Sequence, residues 1–279
     1  MEKTLKIDTI TLKLNYLFST YYHSQIDNYL TDQAPMYAIA CEVVDTLVLP
    51  KDKPLRTSPN QTLYETDEGY ALYVDYQGKL AHRLSINHAK TTYRLTLLRD
   101  AYENLAEAEY VITGMIFFDI AYRHKLISLH ASAVVVEGGV VLLSGPSGTG
   151  KSTLAKRLVE VANGMILNDD KPLLSYQKEE VVVLSSPWSG SLGLNRNARV
   201  PLKQILFLRQ ATSNYFKAMD KKEKLIELMR NIYRPKSHDQ LDIAQENFEH
   251  LLLHVPMRRY YCTNSMEAAN VLLEDLKND

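Results

Sequence analysis

The chain has 279 residues, 46% apolar, 23% charged and 9% aromatic, with 32 Lys+Arg against 33 Asp+Glu and a formal net charge of −1. That composition excludes disorder and collagen-like structure, and the balanced charge offers no electrostatic case for nucleic acid. The length suits one large domain or two modest ones. Two cysteines, Cys41 and Cys262, are too few for a disulfide framework and sit in apolar runs, as buried thiols of a reducing cytosol do. Residues 1–17 alternate Lys and Asp with apolar residues, unlike a signal peptide. The longest apolar stretch, 111–122, carries Asp119 and falls short of the roughly 20 residues that cross a bilayer. The expectation is a cytoplasmic protein with no membrane span and no nucleic-acid partner.

Residues 1–104 read as short strands broken by turns, a β-rich accessory domain. Residues 6–14 alternate and 36–49 form a long apolar run, while 70–76 pairs with 80–86 as a hairpin across Gln77-Gly78. Residues 50–59, with three prolines, read as an exposed loop. Over 105–126 the period changes to that of an amphipathic helix bridging the halves, with Ala108, Val111, Ile112, Met115 and Tyr122 on one face.

The remaining stretch, 127–279, alternates strand and helix, which argues an α/β domain. Strands 129–136 and 140–144 join through Glu137-Gly138-Gly139. A helix then carries Leu154, Leu158, Val161 and Ala162 inward, and a short strand, 165–168, ends in Asp169-Asp170. A hairpin follows, 173–176 with 181–184 across 177–180, then a Gly- and Asn-rich loop, 187–199, and a strand, 205–208. The rest reads as mostly helical. Leu225, Leu228, Met229 and Ile232 mark one inward face, and Leu241, Ala244, Phe248, Leu251 and Leu252 another. A strand at 260–262 precedes a helix started by Ser265, with Ala269, Leu272, Leu273 and Leu276 inward.

Gly145-Pro146-Ser147-Gly148-Thr149-Gly150-Lys151-Ser152, followed by Thr153, matches the phosphate-loop pattern G-x-x-x-x-G-K-[ST]. Glycines let the backbone curl so that successive N–H groups point at a phosphate. Lys151 supplies a point charge for the outer phosphate oxygens and Ser152 a hydroxyl for Mg²⁺, while the next helix turns its positive end to the anion. By composition, a chance match in a chain of this size is on the order of one in a hundred. The strand before it and the helix after it lower that further.

The carboxylates narrow the reaction. Asp169 lies 18 residues beyond Lys151, directly after the strand that follows the loop's helix. The N-K-x-D of GTPases is absent, and so is the signature loop of ABC-type ATPases. Two carboxylates at that strand's tip can face a terminal phosphate, one holding Mg²⁺ with Ser152 and the other accepting a hydroxyl proton, the layout of a phosphotransferase. Read as turn residues only, they carry no such role.

With these residues in view, the chain resembles the HPr kinase/phosphorylase and phosphoenolpyruvate-carboxykinase-like P-loop superfamily. Four features carry the likeness: Leu129-His130-Ala131-Ser132 ahead of the loop, Ser147 to Thr153 within it, Ile166-Leu167-Asn168-Asp169-Asp170 one helix later, and Ser186-Pro187-Trp188-Ser189-Gly190 before residues 201–210. The last is most similar to the HPr-kinase-like proteins of peptide-modification, including lasso-peptide, gene clusters. The likeness spans about 127–214; residues 1–126 match no recognisable family. It implies an α/β fold with the mixed P-loop sheet of that superfamily behind a β-rich N-terminal domain. It also implies ATP or another phosphoryl donor with Mg²⁺ at Lys151–Thr153, a small protein or peptide acceptor, and assembly into a homo-oligomer. Asp169 and Asp170 would divide proton acceptance and metal contact, with Asp170 assigned to the metal beside Ser152, and His130 would stand beside the phosphates. The Gly- and Ile-rich stretch that follows the Asp pair in true HPr kinases is missing here.

Three further residues invite a substrate role. Arg196 and Arg199 are either phosphate contacts or solvated loop residues. Trp188 suits an adenine stack, a peptide anchor or a core plug. His82, His88, His124, His238, His250 and His254 have no zinc-ligand spacing. Two rival functions stand beside a peptide kinase. A metabolite kinase usually opens on its phosphate loop, whereas 144 residues precede Gly145 here. A nucleotide-binding regulator or peptide-binding module would not need Lys151, Ser152, Asp169 and Asp170 all intact.

Overall fold

The computed structural model describes residues 1–22, 24–177, 180–190 and 193–278; the 177–180 turn and the 187–199 loop lie partly outside the described residues. The chain divides into two compact units, Met1–Phe117 and Phe118–Asp279, and the boundary falls inside helix α1 (Leu105–Arg123).

The first unit is strand-rich. Strands β1 (Glu2–Ile7), β2 (Ile10–Asn15), β3 (Tyr37–Val44), β4 (Arg56–Ser58), β5 (Gln61–Thr66), β6 (Gly69–Tyr76), β7 (Lys79–Asn87) and β8 (Thr92–Leu98) form one sheet. Their order is β1-β2-β3-β8-β7-β6-β5-β4, antiparallel except where β3 meets β2 and β8. The expected single strand over 6–14 is instead a hairpin. Leu5 and Ile7, then Ile10, Leu12 and Leu14, are fully buried, and that change of parity cannot occur within one period-two strand. Asp8, at φ 53°, makes the turn. The 50–59 loop contains the exposed three-residue strand β4.

The expected inward face of α1 also needs correcting, because Val111 and Met115 are exposed. The buried stripe runs through Glu109, Thr113, Ile116, Phe117 and Ile120. Glu109 is drawn inside because its carboxylate accepts the backbone N–H groups of Leu17 at 2.7 Å and Phe18 at 3.0 Å. Sequence periodicity counts such a residue as surface.

The second unit is mixed α/β. Its elements are β9 (Ile127–Ser128), β10 (Ala131–Val136), β11 (Gly139–Ser144), α2 (Lys151–Ala162), β12 (Met165–Asn168), β13 (Leu173–Gln177), β14 (Glu180–Leu184), β15 (Arg199–Gln210), β16 (Tyr215–Ala218), α3 (Lys221–Asn231), α4 (His238–His254), β17 (Met257–Cys262) and α5 (Met266–Asn278). The long strand β15 lies between parallel neighbours β11 and β17. Beyond β11 come β10 and β12, both antiparallel pairings, and beyond β17 comes β16. The first residues of β15 pair with β14, which leads on to β13 and β9. That extra pairing explains why the strand begins at Arg199 rather than at 205.

Alternate residues build two cores. Val141, Leu143, Leu206 and Leu208 pack with Leu154, Ala155 and Leu158 of α2 and Ala268, Ala269 and Leu272 of α5. Leu142, Ile205 and Phe207 pack with Leu228 of α3 and Ala244, Phe248 and Leu251 of α4. Each fully buried aliphatic side chain of this kind contributes about 1.5–3 kcal/mol. Met229 and Leu241, expected inward, are exposed; α3 buries Glu227 and Asn231 instead. Strand β16 is a four-residue addition within the stretch expected to be mostly helical, and its Tyr215 stacks on Tyr261 at 4.7 Å. Cys41 and Cys262 are free and buried. Among the described residues, no helix is long and apolar enough to cross a membrane.

Candidate nucleotide site

Because β11, β15 and β17 are parallel, their carboxyl ends share one edge, and antiparallel β10 starts there too. That edge is where open α/β sheets place ligands. Ser144 ends β11, and the loop that follows turns into α2 at Gly150, whose φ of 94° favours glycine. Gly145 sits tightly on β15: a Cβ there would stand 3.2 Å from the Leu208 carbonyl oxygen. Thr149 Oγ1 donates to the Pro146 carbonyl at 2.8 Å, and Gln210 Nε2 donates to that of Gly148 at 3.0 Å. Lys151, 8% exposed, donates its ammonium to the carbonyls of Gly145 at 2.9 Å and Pro146 at 3.1 Å. Burial lowers its pKa from the ordinary lysine value, and the charge of Asp170 opposes that shift.

The acidic pair is set by Asn168, fully buried at the end of β12. Its Oδ1 accepts the N–H groups of Asp170 at 3.0 Å and Lys171 at 2.8 Å, a turn in which Asn organises its own following backbone. Its Nδ2 donates to Ser185 Oγ at 3.1 Å and to the Ser186 and Trp188 carbonyls at 3.4 Å. One side chain thereby joins the Asp pair to the segment that carries Gly190. Asp169, 4% exposed, accepts the Gly190 N–H on Oδ1 at 2.6 Å, while its backbone carbonyl accepts the Ser132 hydroxyl at 3.0 Å.

Asp170 is the more open carboxylate. His130 Nδ1 lies 2.8 Å from its Oδ1, and the Lys171 ammonium contacts Oδ2. Burial alone would raise the Asp170 pKa. The His130 hydrogen bond and the Lys171 charge outweigh it and hold this carboxyl well below the usual carboxylate range. His130 is fixed by its backbone, its N–H donating to the Asn231 carbonyl at 2.7 Å and its carbonyl accepting the Ser144 hydroxyl at 2.9 Å.

These groups line a single cleft of about 350 Å³: His130, Ser147, Gly148, Gly150, Lys151, Ser152, Thr153, Asp169, Asp170 and Gly190. Three residues singled out by sequence lie elsewhere. Trp188 is 2% exposed, its carbonyl tied to Asn168, so its ring offers no open face to a base. Arg196 and Arg199 are exposed and do not line the cleft. A larger cleft of about 490 Å³ lies within the first unit, around Tyr76, His82, Tyr102 and Ile112, and among the described residues no Lys or Arg lines it. Sequence reasoning missed the roles of Ser132, Lys171, Asn231 and Gly190. Only the Asn before Asp-Asp carried a recognisable turn signal.

No family model matches the sequence, and no curated protein matches it. Among solved structures, the chain is similar to the Hpr(Ser) kinase/phosphatase from Coxiella burnetii, at 15% identity and a TM-score of 0.33 over 54% of this chain and 93% of that one.

Proposed function

We propose that the second unit is a nucleotide-dependent phosphotransferase of the HPr-kinase-like kind. In this reading it moves the terminal phosphoryl group of ATP, or of a related donor, onto a Ser or Thr hydroxyl of a small protein or peptide. One observation carries the reading: the phosphate loop, the Asp pair and His130 meet in one cleft, although 39 residues separate His130 from Asp169. The loop's N–H groups and Lys151 bind donor phosphates. Asp169, held by Gly190, accepts the proton as the acceptor oxygen bonds to phosphorus and the bond to the leaving diphosphate breaks. Asp170, kept ionised by His130 and Lys171, offers a persistent negative charge that suits a cation.

Magnesium fits the donors. Ser152 and Asp170 offer hard oxygens, and among the described residues no group of three or more His, Cys, Asp or Glu could hold a metal alone. Mg²⁺ is commonly held by one or two protein oxygens, with phosphate and water completing its shell. When bound, it neutralises developing phosphate charge. His130, bonded to Oδ1 of the Asp170 carboxylate, keeps that group oriented.

The first unit supports acceptor capture. Among the described residues strand β4 pairs with β5 alone, and its three residues are exposed, a sheet edge on which an extended peptide can add a strand. The test is transfer of label from γ-labelled ATP, with Mg²⁺, to Ser-containing peptides encoded beside this gene. Label on serine that is lost in Asp169→Asn is expected. Label found only on small alcohols would move the assignment to a metabolite kinase.

A further inference from the structure

Glu227 takes no part in the proposed transfer, yet it is a carboxylate 1% exposed on the inward face of α3. Two guanidinium groups reach it: Nη2 of Arg209, and Nη2 of Arg259 at 3.4 Å. Arg259 is steadied in turn by Glu223, one turn earlier, at 2.6 Å. A buried ion pair adds little stability, because desolvation cancels most of the attraction; apolar replacement of both partners is often neutral or better. Stability is therefore a poor explanation for this pair.

The second contact of Arg209 supplies a better one. Its Nη1 donates to the Leu208 carbonyl at 2.8 Å. The same carbonyl oxygen lies 3.2 Å from where a Gly145 Cβ would stand, so it closely borders the backbone at the start of the phosphate loop. The carbonyl of Gly145 accepts the Lys151 ammonium at 2.9 Å. A line of neighbouring groups thus runs from Glu227 through Arg209 and the Leu208 carbonyl, past the Gly145 backbone, to Lys151. A second line leaves the same helix turn. Asn231 donates to the Glu227 carbonyl at 2.8 Å, and its own carbonyl accepts the His130 N–H at 2.7 Å.

We infer that Arg209 and Glu227 are positioning residues of the nucleotide site. The buried carboxylate fixes the guanidinium, and the guanidinium fixes the carbonyl that borders the phosphate loop. The inference rests on the phosphate-site reading above. It also specifies arginine, because a planar fork serves two acceptors in set directions, whereas a lysine ammonium is a single rotating donor group.

The experiment titrates ATP with Mg²⁺ into the full chain by calorimetry and follows thermal unfolding in parallel. Arg209→Lys keeps the buried charge paired and is expected to weaken binding about ten-fold, with little change in melting temperature. The triple variant Arg209→Met, Glu227→Leu, Arg259→Met removes all three charges of the cluster. It is expected to melt no lower than wild type and to lose affinity about ten-fold as well. Wild-type affinity in both variants would overturn the inference and leave the phosphate site standing. A wild-type chain that binds no ATP·Mg²⁺ would overturn both.

Discussion

Replacing Gly190 by alanine probes the Asp pair without removing any group that the reaction uses. A Cβ at this position would stand 2.8 Å from the Asp170 Cβ, 3.2 Å from Asp169 Oδ2 and 3.3 Å from Asp169 Cγ. Reaching ordinary van der Waals contact, which starts at 3.4 Å, requires an opening of at least about 0.6 Å against the Asp170 Cβ, an atom anchored to the backbone. The neighbouring backbone is not free to yield, since Gly190 N–H is bonded to Asp169 Oδ1 at 2.6 Å and Asp170 N–H to Asn168 at 3.0 Å. The strain costs about 1–3 kcal/mol of stability, typical of overpacking. The larger effect is on geometry, because a shift of about 1 Å in a reacting group can cost roughly a hundred-fold in rate. Gly190→Ala should therefore lower phosphoryl transfer about ten- to hundred-fold, a larger loss than that in ATP·Mg²⁺ affinity, which depends on Asp170 but not on Asp169. Single-turnover transfer from γ-labelled ATP, with calorimetric titration of the same preparation, separates the two quantities. Full transfer rate in a folded Gly190→Ala chain would refute this account of the Asp pair.

Asp169→Asn and Asp170→Asn should each abolish transfer, but only Asp170→Asn should weaken Mg²⁺-dependent nucleotide binding; a fully active double variant would end the phosphotransferase reading. In the first unit, burial lowers the His82 pKa to about 4, while its side chain meets the Tyr102 hydroxyl at 2.6 Å. The folded state therefore favours neutral His82, and the unfolded state takes up a proton at higher pH. Stability is full above about pH 6.5 and falls by up to about 3 kcal/mol as the pH drops toward 4. Amide exchange in β7 and β8 at pH 7 and pH 5 should show that loss, and His82→Gln should flatten it; equal pH dependence in both chains would contradict the burial argument.

What the sequence made legible followed from local rules. Glycine spacing and the Lys151-Ser152 pair mark a loop between a strand and a helix because few other structures need that pattern, and alternation from residue 127 onward implied the mixed α/β unit. The Asp pair could be placed because a single helix separates it from the loop. What stayed hidden depends on long-range contacts. Glu109 and Glu227 look like surface carboxylates until their partners, the Leu17 and Phe18 amides and Arg209, are brought to them by the fold. Gly190 reads as one loop glycine among several, since its importance lies in the approach of Asp170, 20 residues earlier. Trp188 and the two loop arginines drew attention by residue type, and type does not reveal that Trp188 packs inside or that Arg196 and Arg199 stand away from the cleft.

The most direct measurement is calorimetric titration of ATP, with and without Mg²⁺, into the wild-type chain and Lys151→Ala. Lys151 is 8% exposed and bonded to the carbonyls of Gly145 and Pro146, so it stands at the loop before any phosphate arrives. Removing it deletes a charge-assisted contact worth about 1.5–3 kcal/mol, or roughly ten- to hundred-fold in affinity. The account predicts Mg²⁺-dependent binding to wild type that weakens by that factor in Lys151→Ala, with unfolding temperature little changed. Equal affinity of the two chains for ATP·Mg²⁺ would contradict it.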